Sequence, residues 1–159
     1  QCFSYGLQPI AAFNAGAKAW ARLKETLSCT LKYQIVVLLI VTAVLWAAAT
    51  PVCAFFAGSD PALVEVAASA TRIVVLAVAL GYLAMTMSMY YQAVEKVGVA
   101  TFCGLLRYVI CSVPLMYLLG GMMGAQGVWI ALVAADAITG LVSIALAAKE
   151  QKRLNGLIA

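Results

Sequence analysis

Four long apolar segments restrict what this chain can fold into. They cover residues 33–57, 66–94, 100–119 and 127–148, and none of them holds more than one charged residue. A transmembrane helix needs roughly 20 predominantly apolar residues, so each segment is long enough to span a bilayer. Only 10% of the chain is charged, whereas soluble domains average about 25%. The sequence therefore predicts an all-α fold, a polytopic bundle of transmembrane helices.

A shorter apolar segment, residues 2–17, precedes the four long ones and has the composition of a truncated helix. Pro9 and Gly16 predict an irregular backbone there, because proline lacks an N–H and glycine is conformationally permissive. In lipid, irregular backbone is tolerated only beside protein or a water-filled cavity. We therefore expect this segment to face the interior, with Gln8 and Asn14 on a polar wall.

Prolines also predict kinks in two of the long segments. Pro51 lies near the end of the first and Pro114 lies within the third. Each removes a backbone N–H, and its ring clashes with the carbonyl four residues earlier.

Basic residues are concentrated in two stretches, 18–32 and 149–159. By the positive-inside rule, these form a cytoplasmic loop and a cytoplasmic C-terminal tail of a multi-pass protein of the plasma or inner membrane. The loop is either a solvated connector or an amphipathic helix on the lipid surface, with Trp20, Leu23 and Leu27 facing the membrane. The sequence leaves both open.

Polar and small residues recur along one face of the segment 66–94. Their spacing of four, seven and eleven residues is that of one helix face. This face either packs against another helix or lines a cavity, and adaptable Met and Tyr side chains suit a cavity that accepts varied apolar ligands. The face comprises Gly81, Met85, Ser88 and Gln92, flanked by Tyr82 and Met89.

Two charged residues, Arg107 and Asp136, lie well within the hydrocarbon region, where such residues are costly and mark functional sites by default. Counted at 1.5 Å per residue, Arg107 lies about 10 Å and Asp136 about 18 Å from the inner ends of their helices. This gap of about 8 Å disfavours direct pairing. We expect Arg107 to extend towards the inner interface. Asp136 is a candidate group for coupling to a proton or cation, or a hydrogen-bonding partner of a neighbouring helix.

Several classes of function lack the residues that they need. There is no histidine, and the five cysteines are scattered without a CxxC pair, so a metal site or disulfide framework is not expected. No phosphate-binding loop or catalytic set is present. The sequence predicts no enzyme, no nucleic-acid partner, and no cofactor other than a proton or sodium ion that drives transport.

Several motifs resemble those of multidrug and toxic compound extrusion (MATE) transporters. GLQPI at 6–10 with FNAGAK at 13–18 resembles the end of the eighth helix of that family, and YQAVEK at 91–96 resembles the end of the tenth. Pro114 with Leu115 resembles the proline of the eleventh helix. GVWIA at 127–131, followed by Asp136, resembles the twelfth.

The resemblance implies that residues 1–159 form part of the C-terminal lobe of a twelve-helix, two-lobe antiporter, from the end of helix eight to helix twelve. The N-terminal lobe of the same protein would be missing. Such proteins export organic cations in exchange for protons or sodium ions. This chain departs from the family pattern at Glu95, where glycine is usual, and at Val133, where proline is common. Its tenth helix holds no buried acid, which favours proton coupling.

Two other functions stay open. Flippases of lipid-linked precursors or polysaccharides share the architecture but tend to carry more basic cavity residues, and only Arg72 and Arg107 serve here. A small membrane scaffold or accessory protein is the third alternative.

Overall fold

The computed structural model describes residues 2–57 and 61–158, and both ranges are helical with no strand. Within them, four helical stretches are long and apolar enough to cross a membrane, which confirms the predicted all-α class. The helices are α1 (Cys2–Gly16), α2 (Trp20–Ala47), α3 (Ala49–Ala57), α4 (Pro61–Ala93), α5 (Val97–Leu105), α6 (Val113–Met123) and α7 (Ala125–Ile158), with a π-helical segment (Leu106–Ser112) between α5 and α6.

Helix α4 lies at the centre of the bundle and contacts α1, α2, α3, α5 and α7. The main cluster of buried apolar side chains lies at one end of the bundle, where α1, α2, α4, α5 and α7 meet. The outward faces of the long helices carry many exposed large apolar residues, as expected of surfaces that face lipid. The largest members of the buried cluster are Leu7, Leu23, Leu27, Met87, Tyr90, Tyr91 and Leu154.

The basic stretch 18–32 is not a loop, contrary to one expectation from the sequence. Helix α2 begins at Trp20 and runs without interruption into the first apolar segment. Leu23 and Leu27, four residues apart, are fully buried against the bundle, so they do not face the membrane as the amphipathic alternative required. Charged residues on the opposite face do not interrupt the helix, because their side chains reach solvent.

The predicted tail is likewise helical over its described residues, 149–158, because α7 continues to Ile158. Leu154 is fully buried and Glu150 is only 4% exposed. The Nε2 of Gln151 lies 3.5 Å from the Oγ of Ser28 on α2. The first turns of α2 and the last turns of α7 therefore pack together at the same end of the bundle.

The segment around Pro9 is also more regular than expected. Helix α1 continues through Pro9 to Gly16. The side chain of Pro9 is exposed, whereas Leu7 and Ala11 are buried. The proline therefore removes one backbone N–H on the outer face while the inner face stays packed.

Pro51 marks a break between α2 and α3 at Ala48. Since the proline ring excludes the carbonyl four residues earlier, α2 ends there. Arg72 of α4 stabilises the break. Its Nη2 donates to the Oγ1 of Thr50 at 3.2 Å, and its guanidinium lies 5.1 Å from the ring centroid of Trp46.

Two helix ends share one turn geometry. Lys18 follows α1 with φ 53°, and Glu95 follows α4 with φ 59°. In each turn the next N–H donates to the carbonyl five residues back at 2.9 Å, which is the Schellman pattern. The hairpin between α6 and α7 instead turns at Gly124, which also has a positive φ.

Candidate functional site

Four residues of the predicted polar stripe line one cavity of about 280 Å³ between α4 and the α5–π segment. Met85, Ser88, Met89 and Gln92 come from α4. Periodicity brings them together, since they lie one and two turns apart along one face. The opposite wall consists of Cys103, Gly104, Arg107 and Tyr108.

Arg107 lies within the π-helical segment Leu106–Ser112. Pro114 follows this segment and cannot donate a backbone hydrogen bond, which is a common cause of irregular helix geometry. The Oγ of Ser112 donates to the carbonyl of Arg107 at 2.6 Å, five residues earlier. The kink predicted at Pro114 therefore takes the form of a π-helical stretch, a feature frequent at functional sites.

Arg107 and Asp136 form a direct ion pair, contrary to the expectation from depth along the chain. The Nε of Arg107 lies 2.7 Å from Oδ1 of Asp136. Lys96, just before α5, pairs with Glu150 of α7 and gives a reference point for depth along the two helical stretches. Counted from that contact, Arg107 and Asp136 differ in depth by three residues, about 4.5 Å at 1.5 Å per residue. An arginine side chain spans this distance.

Gly81 of α4 provides the space for this ion pair. A Cβ at Gly81 would lie 3.0 Å from the Cγ of Asp136 and 3.1 Å from Nη2 of Arg107. The small residue in the polar stripe therefore has a packing role, whereas the larger members of the stripe line the cavity.

A second cavity of about 260 Å³ lies on the other side of Arg107. Arg107 and Tyr108 line both cavities, whereas Asp136 lines only the second, together with Ser112 and Trp129. The ion pair therefore lies between two cavities, and of its two members only Arg107 lines the first.

The other predicted site residues lie elsewhere. The carbonyl of Tyr82 accepts hydrogen bonds from Nε2 of Gln34 at 3.2 Å and from Oγ1 of Thr86 at 3.0 Å, but its side chain does not line the cavity. Asn14 is buried, and its Nδ2 donates to the carbonyl of Ile10 within α1. Gln8 is half-buried on α1 and lines none of these cavities.

An ion-pair cluster centred on Glu150 was not predicted from the sequence. Lys96 Nζ lies 2.6 Å from its Oε2, Arg153 Nη1 lies 3.0 Å from its Oε1, and the hydroxyl of Tyr90 donates to Oε1 at 3.4 Å. One acid within a basic stretch, three residues before Arg153, is the sequence signal that points to it. The cluster ties the α4–α5 turn to α7.

The comparisons with known proteins agree with this architecture. The sequence profile of the MatE family matches residues 1–118. A comparison with curated proteins gives no match.

Among solved structures, the Vibrio cholerae MATE transporter VcmN in the bent form is similar with a TM-score of 0.78 at 19% identity, over 97% of this chain and 35% of that one. An inward-facing multidrug resistance MATE family transporter is similar with a TM-score of 0.79 at 18% identity, over 98% of this chain and 36% of that one. An outward-facing one is similar with a TM-score of 0.79 at 18% identity, over 96% of this chain and 35% of that one. This chain thus spans about a third of these structures, and by its matched residues it belongs to the MatE family of membrane transporters.

Proposed function

We propose that the protein containing this chain is a secondary active transporter that exports drugs and organic cations in exchange for protons or sodium ions. Membership of the MatE family supports this proposal, together with a cavity that contains polar side chains in an otherwise apolar bundle. The cavity lined by Met85, Ser88, Met89 and Gln92 is the observation that carries it. These residues would form one wall of the substrate site, and the rest of the protein would supply the other.

Asp136 is the proposed coupling group. In the structure its carboxylate is neutralised by Arg107, so a proton or a sodium ion would have to compete with the guanidinium for it. Asp136 lies beyond the residues that match the MatE family profile. Its role is therefore proposed from its position in this structure and not from the family profile.

The protein is a multi-pass membrane protein, and we propose that its basic end is cytoplasmic. Lys18, Arg22, Lys24, Lys149 and Lys152 all lie where α1 ends, α2 begins and α7 ends. The positive-inside rule then assigns the C-terminus to the cytoplasm of a plasma or inner membrane.

Flippase activity on a lipid-linked or polysaccharide precursor is the second candidate. One observation favours it: Arg107 lines the cavity, and a cation there suits a phosphate-bearing substrate.

The first test uses the whole protein in sealed vesicles. Efflux of ethidium is followed under an imposed proton gradient and then under a sodium gradient. Efflux under one of them supports antiport and identifies the coupling ion. Absence of efflux under both contradicts antiport and leaves the flippase alternative.

The cavity assignment has its own test. Met85→Ala and Gln92→Ala should each change the relative resistance of cells to different drugs severalfold without reducing membrane insertion, because both side chains line the cavity. Met122→Ala is the control, since Met122 is 81% exposed at the end of α6. If the resistance profiles of both cavity variants equal that of the control, the cavity is not the substrate site.

A further inference from the structure

The cavity that we propose as the substrate wall is positively charged. Among the described residues, Arg107 is the charged residue that lines it. Asp136 lines the second cavity and not the first. A ligand in the first cavity therefore contacts the cation of the ion pair but not its carboxylate. This charge is opposite to what a site built for a simple organic cation would carry.

The guanidinium has hydrogen-bonding capacity left for a ligand. Arginine offers five N–H donors. Within the described ranges, its partners are Asp136 at 2.7 Å and the hydroxyl of Tyr108 at 3.5 Å. The side chain is 25% exposed, and it lines the cavity. The exposed amide of Gln92 lies in the same cavity and forms no side-chain hydrogen bond in the described part of the chain.

An apolar groove adjoins this polar end. A neighbouring cavity of about 540 Å³ shares Ser88, Gln92, Gly104 and Tyr108 with the first. Its remaining lining is mostly apolar and includes Val97, Leu105 and Val109. Together the two cavities offer a charged anchor at one end and an apolar surface beside it.

We infer that this cavity binds the acidic group of an amphipathic organic acid or zwitterion. Arg107 anchors the carboxylate, phosphate or sulfonate, Gln92 adds an amide donor, and the adjoining groove takes the apolar body. Because arginine donates from several N–H groups, it can hold Asp136 and a ligand at once. The inference rests on the proposed function, since it names the substrate class of the same cavity.

The test uses two ligands that differ only in charge, dansylglycine and its uncharged amide. The whole protein is placed in phosphatidylcholine nanodiscs, and binding is measured by equilibrium dialysis. We expect the carboxylate to bind about tenfold more tightly than the amide or better, the effect of one charge-assisted contact. In Arg107→Gln this preference disappears. Equal affinities in the wild type, or a preference that survives in Arg107→Gln, would overturn the inference.

Two variants separate recognition from a structural role of the ion pair. Asp136→Asn frees the guanidinium, so the preference for the carboxylate should persist or increase. If the pair were merely structural, Asp136→Asn and Arg107→Gln would weaken both ligands alike. If Arg107→Gln unfolds, the double variant Arg107→Gln/Asp136→Asn is used in its place, because it leaves no unpaired charge. Arg72→Gln is the matched control, because Arg72 is an intramembrane arginine that lines neither cavity and should retain the preference.

A further arm identifies the source of the acidic group. Adding phosphatidylglycerol to the nanodiscs supplies an anionic headgroup. Competition that depends on Arg107 assigns the site to lipid headgroups, and no competition assigns it to soluble organic acids. Both results support an acid-binding cavity. Ethidium efflux is measured separately, so a failure of antiport does not affect the binding result, nor does a failure of binding affect antiport.

Discussion

At the scale of single residues, Glu95 has an unfavourable backbone conformation for a residue with a Cβ. Its φ of 59° lies in the left-handed region, which costs a residue with a Cβ roughly 1–2 kcal/mol. The turn requires this conformation, because the N–H of Lys96 must reach the carbonyl of Tyr91. A glycine would adopt it without steric strain.

Glu95→Gly is therefore expected to stabilise the protein. The gain should be about 0.5–1 kcal/mol, since the extra freedom of glycine in the unfolded chain offsets part of the relieved strain. Thermal unfolding in detergent measures it as a higher Tm. Glu95→Ala is the control, because it removes the charge but keeps the Cβ. Equal stabilisation by both variants would show that the charge, not the backbone, is responsible.

The same residue shows what could be learned from the sequence at this scale. The sequence shows that Glu95 replaces the glycine of the MATE motif, but it does not show the positive φ of this residue. The cavity face was predictable because Met85, Ser88 and Gln92 lie on one helix and share a period. The contact between Arg107 and Asp136 was not, because it depends on the register of two different helices and on the π-helical stretch.

At the scale of elements, the close contact between α4 and α7 depends on small residues. Gly140 of α7 faces Leu80 of α4, and a Cβ at Gly140 would lie 2.5 Å from the Cβ of Leu80 and 3.0 Å from its carbonyl oxygen. Backbone cannot move aside locally, so the helices would have to separate. Without a hydrophobic driving force in lipid, such close packing is the main source of helix association.

Gly140→Ala should consequently destabilise the protein by about 1–3 kcal/mol, the usual range for overpacking. Gly156→Ala on the same helix is the matched control, because a Cβ added at Gly156 would meet no atom within 4 Å, and alanine favours the helix. Urea or thermal unfolding of the two variants gives the comparison. Equal stability of both would contradict the proposed close contact.

The four membrane-spanning stretches were predictable in number, but the lengths of the helices were not. Runs of apolar residues locate the membrane-spanning parts, since lipid demands them. They do not locate helix ends, because a helix continues into water where its inner face stays buried. Leu23 and Leu27 on α2 and Leu154 on α7 form that buried face. The sequence placed Leu23 and Leu27 on one helix face, but it could not show that this face packs against protein rather than lipid.

At the scale of the whole molecule, the fold of this chain is similar to that of MATE transporters in two conformations. Its fold is equally similar to an inward-facing and an outward-facing MATE transporter, with a TM-score of 0.79 in both cases. The cluster of Lys96, Glu150 and Arg153 joins the α4–α5 turn to α7. Ion pairs with a buried acid are costly to break, so this end should not open during transport.

We therefore expect distances within this chain to stay constant through the transport cycle, as in rigid-body alternating access. Spin labels at Cys29 on α2 and at Lys149→Cys on α7, both exposed, report one such distance once the other cysteines are replaced. The distance distribution should be the same under conditions that favour inward-facing and outward-facing states. A label pair joining Lys149→Cys to a helix outside this chain should change, because alternating access moves the lobes relative to each other. A shift within the first pair would show that α2 and α7 separate, and that the Glu150 cluster opens during transport.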